Sequence, residues 1–321
     1  VAGWFPVARI NEEILMENYL KHCHRQDKTE KTIENYLSTL QVFRNYLKKE
    51  HVDLLSAASR KMVLEGFHDY LKDDRQVSYA RIKVYYSALS HFYTWCEYKG
   101  FIRKNMVLAV RKMYVQSFKN GYMPAERKII SVEEMSRFLK AIPNIRDKAM
   151  ITLFVKTGVR RGELIAMDVD DVKMDRLQID LKPNKFHKRS SLVVFFDKET
   201  KQLLEQWIWK RDILANKGEK ALFVGEYGRR MNKNNVYDAV VRWTKRLGLY
   251  DTKTDRIEDH FSVHNLRHCF STYMQRAGMP RDFIKELRGD KRNEIIDIYT
   301  HIDRDELRRS YLSTVPQFGV V

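Results

Sequence analysis

Apolar residues near the start of the chain recur three and four positions apart: Ile14 and Tyr19, then Ile33, Tyr36, Leu37, Leu40, Phe43 and Leu47. That spacing stacks them on one face of a helix, so residues 10–100 read as a run of amphipathic helices. A third helix is expected over about 59–71 and a fourth over about 77–98, the latter carrying Ile82, Tyr85, Tyr86, Leu89, Phe92 and Trp95. Aromatics at helical spacing read first as packing residues and only second as platforms for stacked bases. The pattern then breaks. Between Tyr98 and Ala125 there is no acidic residue, while Lys99, Arg103, Lys104, Arg111, Lys112 and Lys119 all fall there, followed by the turn signals Asn120-Gly121 and Pro124. The expected organisation is a helical domain over 1–115, a basic linker over 116–126 and a second domain over 127–321.

The second part opens on Ser131-Val-Glu-Glu134, a capping box that starts a helix reaching about residue 141. A helix over about 146–157 ends at Thr157-Gly158, and another begins near Arg160. Short apolar or alternating runs at 177–181 and 192–196 predict a β-hairpin joined through Lys182-Pro-Asn-Lys185-Phe-His-Lys188-Arg189. Helices follow at about 198–214, 232–247 and 263–277, the last closed by Gly278, then 281–287, 293–301 and 304–312. The fold class is mainly α with a small β-sheet (α+β), in two domains.

Charge narrows the partner. With 59 Lys+Arg against 42 Asp+Glu, the 321-residue chain carries a formal +17. The excess is 7 over residues 1–124 and 10 over the remainder, so both halves suit one polyanion, nucleic acid before a membrane surface. No apolar run approaches the roughly 20 residues of a spanning helix. The opening Val1-Ala-Gly-Trp-Phe-Pro6 has no basic stretch followed by an apolar one, so no signal peptide is visible in it, and without an initiator Met a trimmed leader stays open. Three scattered cysteines, Cys23, Cys96 and Cys269, point to a reducing, cytoplasmic setting. A phosphate-cradling GxxxxGK[ST] loop is absent, which removes support for ATP-driven chemistry of that kind. His264-Asn-Leu-Arg-His268 lacks the glutamate of a zinc-protease helix, and His22-Cys-His24 lacks a second ligand pair. No cofactor and no metal site is expected.

What remains is a dispersed set: Thr157-Gly-Val-Arg160-Arg161-Gly-Glu163-Leu164, a lysine in the hairpin, His264-xx-Arg267-His268, Leu287-Arg-Gly-Asp290, and Ile298-Tyr299-Thr-His301. Each alone is a common surface pattern. In this order and spacing they resemble the tyrosine recombinase (phage integrase) family, its archaeal and phage members in particular, across nearly the whole chain. The resemblance implies a helical core-binding domain, a catalytic domain and a double-stranded DNA substrate at a recombination site. It also implies self-association into a tetramer on that DNA in the cytoplasm, near the nucleoid. Arg160 and Arg267 match the paired catalytic arginines, and Glu163 matches the acidic residue that positions the site. His264 matches the histidine, Tyr299 the nucleophile, and Lys185 the hairpin lysine, with Lys182 as the alternative. Asp290 stands where the family usually has His or Trp.

The implied chemistry suits these residue types. Two guanidiniums neutralise the charge that grows on the non-bridging oxygens of a phosphodiester. Tyr299 attacks phosphorus, leaving a 3′-phosphotyrosyl ester and a 5′-hydroxyl, with His264 handling the phenolic proton and Lys185 protonating the leaving oxygen. A carboxylate ~4 Å from a phosphate is repelled by roughly 1–4 kcal/mol. Asp290 is therefore expected to turn from the phosphate and orient Arg267 or a flanking cation, with Arg288, Lys291 or Arg292 as substitute donors. A type IB topoisomerase, or a DNA-binding regulator with a decayed site, are the other readings. Residues after Tyr299, including Leu307, Tyr311 and Leu312, either pack on their own domain or dock on a neighbouring subunit.

Overall fold

A computed structural model describes residues 11–116, 128–183, 192–254, 259–290 and 302–321. The chain divides into two compact units, Val1–Met123 and Pro124–Val321. All but Gln116 of the basic stretch expected at 116–126, and the helix expected at 293–301, lie outside the described residues. No helix among them is long and apolar enough to cross a membrane.

The first unit is helical: α1 (Glu12–Arg25), α2 (Glu30–Lys49), α3 (Lys61–Asp69), α4 (Tyr79–Tyr98) and the short α5 (Val107–Val110). Asn11 and Thr29 cap α1 and α2, each side-chain oxygen accepting a first-turn backbone N–H. Most of the predicted stripe is core, with Tyr19, Leu40, Phe43, Tyr86 and Phe92 fully buried and joined there by Phe67 and Tyr93, but Ile14, its first member, is 53% exposed. Their hydroxyls stay satisfied, Tyr86 donating to the Leu64 carbonyl at 2.5 Å and Tyr93 to that of Leu54 at 2.6 Å. The α4 aromatics Tyr85, Tyr86, Phe92, Tyr93 and Trp95 are thus used in packing, whereas Tyr98 at the end of the helix is exposed.

The second unit is built around α7 (Ile145–Thr157), which packs against α9 (Lys198–Leu214) and α11 (Val263–Arg276), with α6 (Val132–Lys140), α8 (Arg161–Ala166), α10 (Lys233–Arg246), α12 (Arg281–Arg288) and α13 (Arg304–Thr314) around it. The Ser131–Glu134 capping box is formed in both directions. The expected hairpin is a three-stranded antiparallel sheet: β1 (Val172–Lys173) pairs with β2 (Gln178–Asp180), which pairs with β3 (Val193–Phe195). A two-residue strand is too short to show alternation, so β1 left no pattern in the sequence. Leu307 and Tyr311 of α13 are buried in a cluster with Phe270, Met274 and Leu287 of the same unit, while Leu312 is exposed.

Lys156, fully buried near the end of α7, is the unit's least expected core residue. Its ammonium donates to Asp197 at 2.6 Å and to Glu199, and lies 5.1 Å from the Phe318 ring centre. Glu199 also accepts the backbone N–H groups of Phe318 and Val320, and Gln317 donates to Asp197, so the cluster anchors the C-terminal residues. Burial alone would raise the Asp197 pKa, but Lys156 and Thr200 outweigh it and hold the carboxyl below its ordinary 3.8. Lys156→Ala leaves two buried carboxylates without their cation and is expected to cost about 3–5 kcal/mol in urea denaturation. Because the folded-state pKa is depressed, the Asp197 contribution is complete above pH ~4 and is lost as pH falls through the lower folded value.

Candidate active site

Two backbone turns bring the site together. Gly158 ends α7 in the left-handed region (φ 62°), and a Cβ there would sit 2.3 Å from the Phe270 ring, so the position demands glycine twice over. The turn delivers Arg160 to the cap of α8, where extended backbone precedes the first helical turn. Glu163, three residues on, accepts the Arg160 backbone N–H at 2.7 Å with one oxygen and its guanidinium at 3.0 Å with the other. One carboxylate therefore fixes both ends of Arg160.

The second turn is at the C-terminus of α12, where Gly289 is left-handed (φ 62°). Helix C-termini expose unpaired carbonyls and the negative end of the helix dipole, a natural seat for cations. Both arginines take it. The Arg288 carbonyl accepts from Arg267 Nη2 at 2.8 Å and from Arg160 Nη1 at 3.3 Å, and the Gly289 carbonyl accepts from Arg160 Nη2 at 3.1 Å. Arg267 Nη1 also donates to the Gly158 carbonyl, tying α11 to the end of α7. Arg267 is nearly enclosed, its side chain 7% exposed, whereas that of Arg160 is 37% exposed. Burial, then the neighbouring cations Arg160 and Arg288, push the Arg267 pKa down to about 10. It remains cationic at neutral pH.

Asp290 lies within this frame. Oδ1 is 3.0 Å from Arg267 Nη2 and 3.4 Å from Arg160 Nη2. Oδ2 is 3.1 Å from Arg288 Nε, an ion pair without hydrogen-bond alignment. Arg288 in turn donates through Nη1 to Ser271 Oγ at 3.0 Å, and Ser271 donates to the Arg267 carbonyl at 3.1 Å.

Of the residues singled out in the sequence, Arg160, Glu163, Arg267 and Asp290 form one cluster. His264 is exposed on the first turn of α11, one turn before Arg267, with its ring edge-on to that of His268 at 4.7 Å between centres. Lys185 and Tyr299 lie outside the described residues, as do Lys291 and Arg292. Lys182, the alternative hairpin lysine, binds Asp168 and lies 3.5 Å from Asp171. Arg161, next to the first arginine, donates to the Lys233 carbonyl at 3.3 Å. Sequence reasoning missed Ser271 and the three carbonyl seats. The glycines at 158 and 289 were the available signal, since each closes a helix beside a motif arginine or aspartate.

Comparison with known proteins bears on the whole chain. The profile described as "Phage integrase family" matches residues 128–306, and "Phage integrase, N-terminal SAM-like domain" matches 15–101. The tyrosine recombinase XerC of Vibrio cholerae is 27% identical over 296 residues, covering 89% of this chain and 87% of the relative. The XerC of Herpetosiphon aurantiacus is 28% identical over 282 residues, 86% of each chain. Among solved structures, the Tn1549 transposon integrase with transposon right end DNA superposes with a TM-score of 0.66 at 17% identity, covering 92% of this chain and 97% of that one. A lambda integrase dimer bound to a COC' core site gives 0.66 at 17% identity, covering 91% and 97%. At such identities the likeness concerns the fold.

Proposed function

The chain belongs to the phage integrase family and is a site-specific tyrosine recombinase, and we propose that Arg160, Glu163, Lys185, His264, Arg267, Asp290 and Tyr299 form the site with which it cuts and rejoins DNA. The carrying observation is the pair of guanidiniums gathered on one helix end, Arg160 and Arg267 sharing the Arg288 carbonyl. Held cations of this kind need no reorganisation when charge develops on a phosphoryl group.

In the proposed reaction the Tyr299 oxygen attacks phosphorus in line. Its proton passes to His264, a group exposed at the start of the Arg267 helix. The bond from phosphorus to the 5′ oxygen breaks, and that oxygen takes a proton from Lys185. Lys182 suits this step less, because two carboxylates already hold its ammonium. The products are a 3′-phosphotyrosyl ester and a free 5′-hydroxyl. A 5′-hydroxyl from another strand reverses the sequence, with bond energy conserved in the ester. Glu163 fixes Arg160, and Asp290 touches both arginines. We place residues 1–115 as the core-binding domain, 116–126 as a basic linker and 127–321 as the catalytic domain. The working form is a tetramer on paired duplex sites, in the cytoplasm with the nucleoid. The matched relatives are named as recombinases, so neither the topoisomerase nor the decayed-regulator reading is favoured.

Incubation with a nicked duplex carrying the recombination site, followed by denaturation, tests the proposal. A covalent protein–DNA adduct is expected; release of all DNA on denaturation contradicts it. Binding should also weaken steeply with salt, because the +17 chain displaces counterions from phosphates. A shift assay from 50 to 200 mM salt is expected to show a loss of at least ~100-fold.

A further inference from the structure

We propose that Asp290, instead of turning from the phosphate as its charge suggests, occupies the phosphate seat of the DNA-free enzyme and must yield it before Arg160 can engage the scissile phosphate; this deepens the recombinase reading and rests on it.

Nearly every donor of Arg160 is already committed. A guanidinium has five N–H groups, two on each terminal nitrogen and one on Nε. Nη1 of Arg160 serves Glu163 and the Arg288 carbonyl, and Nη2 serves the Gly289 carbonyl and Asp290. Among the described residues, only Nε–H is left without a partner. Bidentate grip on a phosphate needs two parallel N–H groups on one edge. The Nε edge of Arg160 is completed by Nη2, and the Nη2 contact with Asp290, 3.4 Å, is the longest of the four terminal contacts. Releasing Asp290 alone removes one of the two acceptors on Nη2, beside the unpartnered Nε–H, while Glu163 and both carbonyls keep the arginine in place.

The shape of the contact agrees. A single oxygen, Asp290 Oδ1, lies against Nη2 of both arginines, where a non-bridging phosphate oxygen would sit between two guanidiniums. Arg288, anchored on Ser271, stands beside the other oxygen at 3.1 Å and can keep hold of the carboxylate as it leaves. The side chain of Asp290 is 33% exposed, which gives the incoming anion access. A bound phosphate and the carboxylate repel one another at this range, so the two compete.

Full-length protein and inorganic sulfate, a tetrahedral dianion, test the exchange without DNA. Phenylglyoxal labels accessible arginines, and peptide mass spectrometry reads Arg160 alone across a sulfate titration at fixed ionic strength. Asp290→Asn keeps the shape and removes the charge. It is expected to lower the sulfate concentration that half-protects Arg160 by about fivefold. A decrease under about twofold, or any increase, overturns the proposal. The unmutated chain gives a second measurement that needs no variant to fold: sulfate should speed carbodiimide labelling of Asp290 as the carboxylate is displaced. Labelling that is unchanged or slower overturns it as well. Neither readout involves strand cleavage, so failure of the enzyme to form a DNA adduct would count against the recombinase site and be seen separately.

Discussion

Arg267→Ala is expected to lower strand cleavage by at least ~1,000-fold while DNA binding changes far less. The lost group is enclosed, cationic at neutral pH and one of two guanidiniums facing the same helix end. Binding draws on phosphate contacts spread over a chain with a +17 surplus, so removing one arginine barely alters the total. Single-turnover cleavage and a shift assay on the same DNA separate the two. Arg267→Lys should fail nearly as badly. One ammonium cannot reach the Gly158 carbonyl, the Arg288 carbonyl and a phosphate in the directions a planar fork does. A melting curve serves as control, because Arg267 also ties α11 to the ends of α7 and α12. Arg160→Ala has the same expected direction at a more exposed position, with less disturbance of the core.

Tyr299→Phe is expected to abolish covalent attachment to DNA and leave noncovalent binding intact. Phenylalanine keeps the ring and removes only the oxygen that would bond to phosphorus. No other hydroxyl is expected to replace it. Tyr86, Tyr93 and Tyr311 are buried and donate to backbone carbonyls. Tyr273 is held the same way by Ile130, and burial, with Cys269 nearby, raises its pKa. These are structural phenols. An ordinary tyrosine ionises near pH ~10, so a reactive one needs a base and a cationic field, which His264 and the arginine pair offer in the proposed site.

How much of this could be read from the sequence depends on how local each signal is. Helical stripes such as Leu40, Phe43 and Leu47 were legible because one face of a helix is written in consecutive turns. Thr157-Gly158 announced a break, and the break is what presents Arg160. Lys156 was not legible. A lysine closing an apolar run looks like a side chain reaching for water, and only folding brings Asp197 and Glu199 against it. The sharing of the Arg288 carbonyl by arginines 107 residues apart is tertiary in the same sense. Asp290 is the intermediate case. It stood out in the sequence as the residue in the usual His or Trp position, but its place against both guanidiniums is tertiary.

The most direct test of the account is to digest the denatured protein–DNA adduct with protease and nuclease and sequence the nucleotide-bearing peptide by mass spectrometry. The expected result is a phosphodiester from the Tyr299 phenol to a 3′ nucleotide terminus, with the opposing strand end a 5′-hydroxyl. Attachment at any other residue, or through a 5′ phosphate, would contradict it.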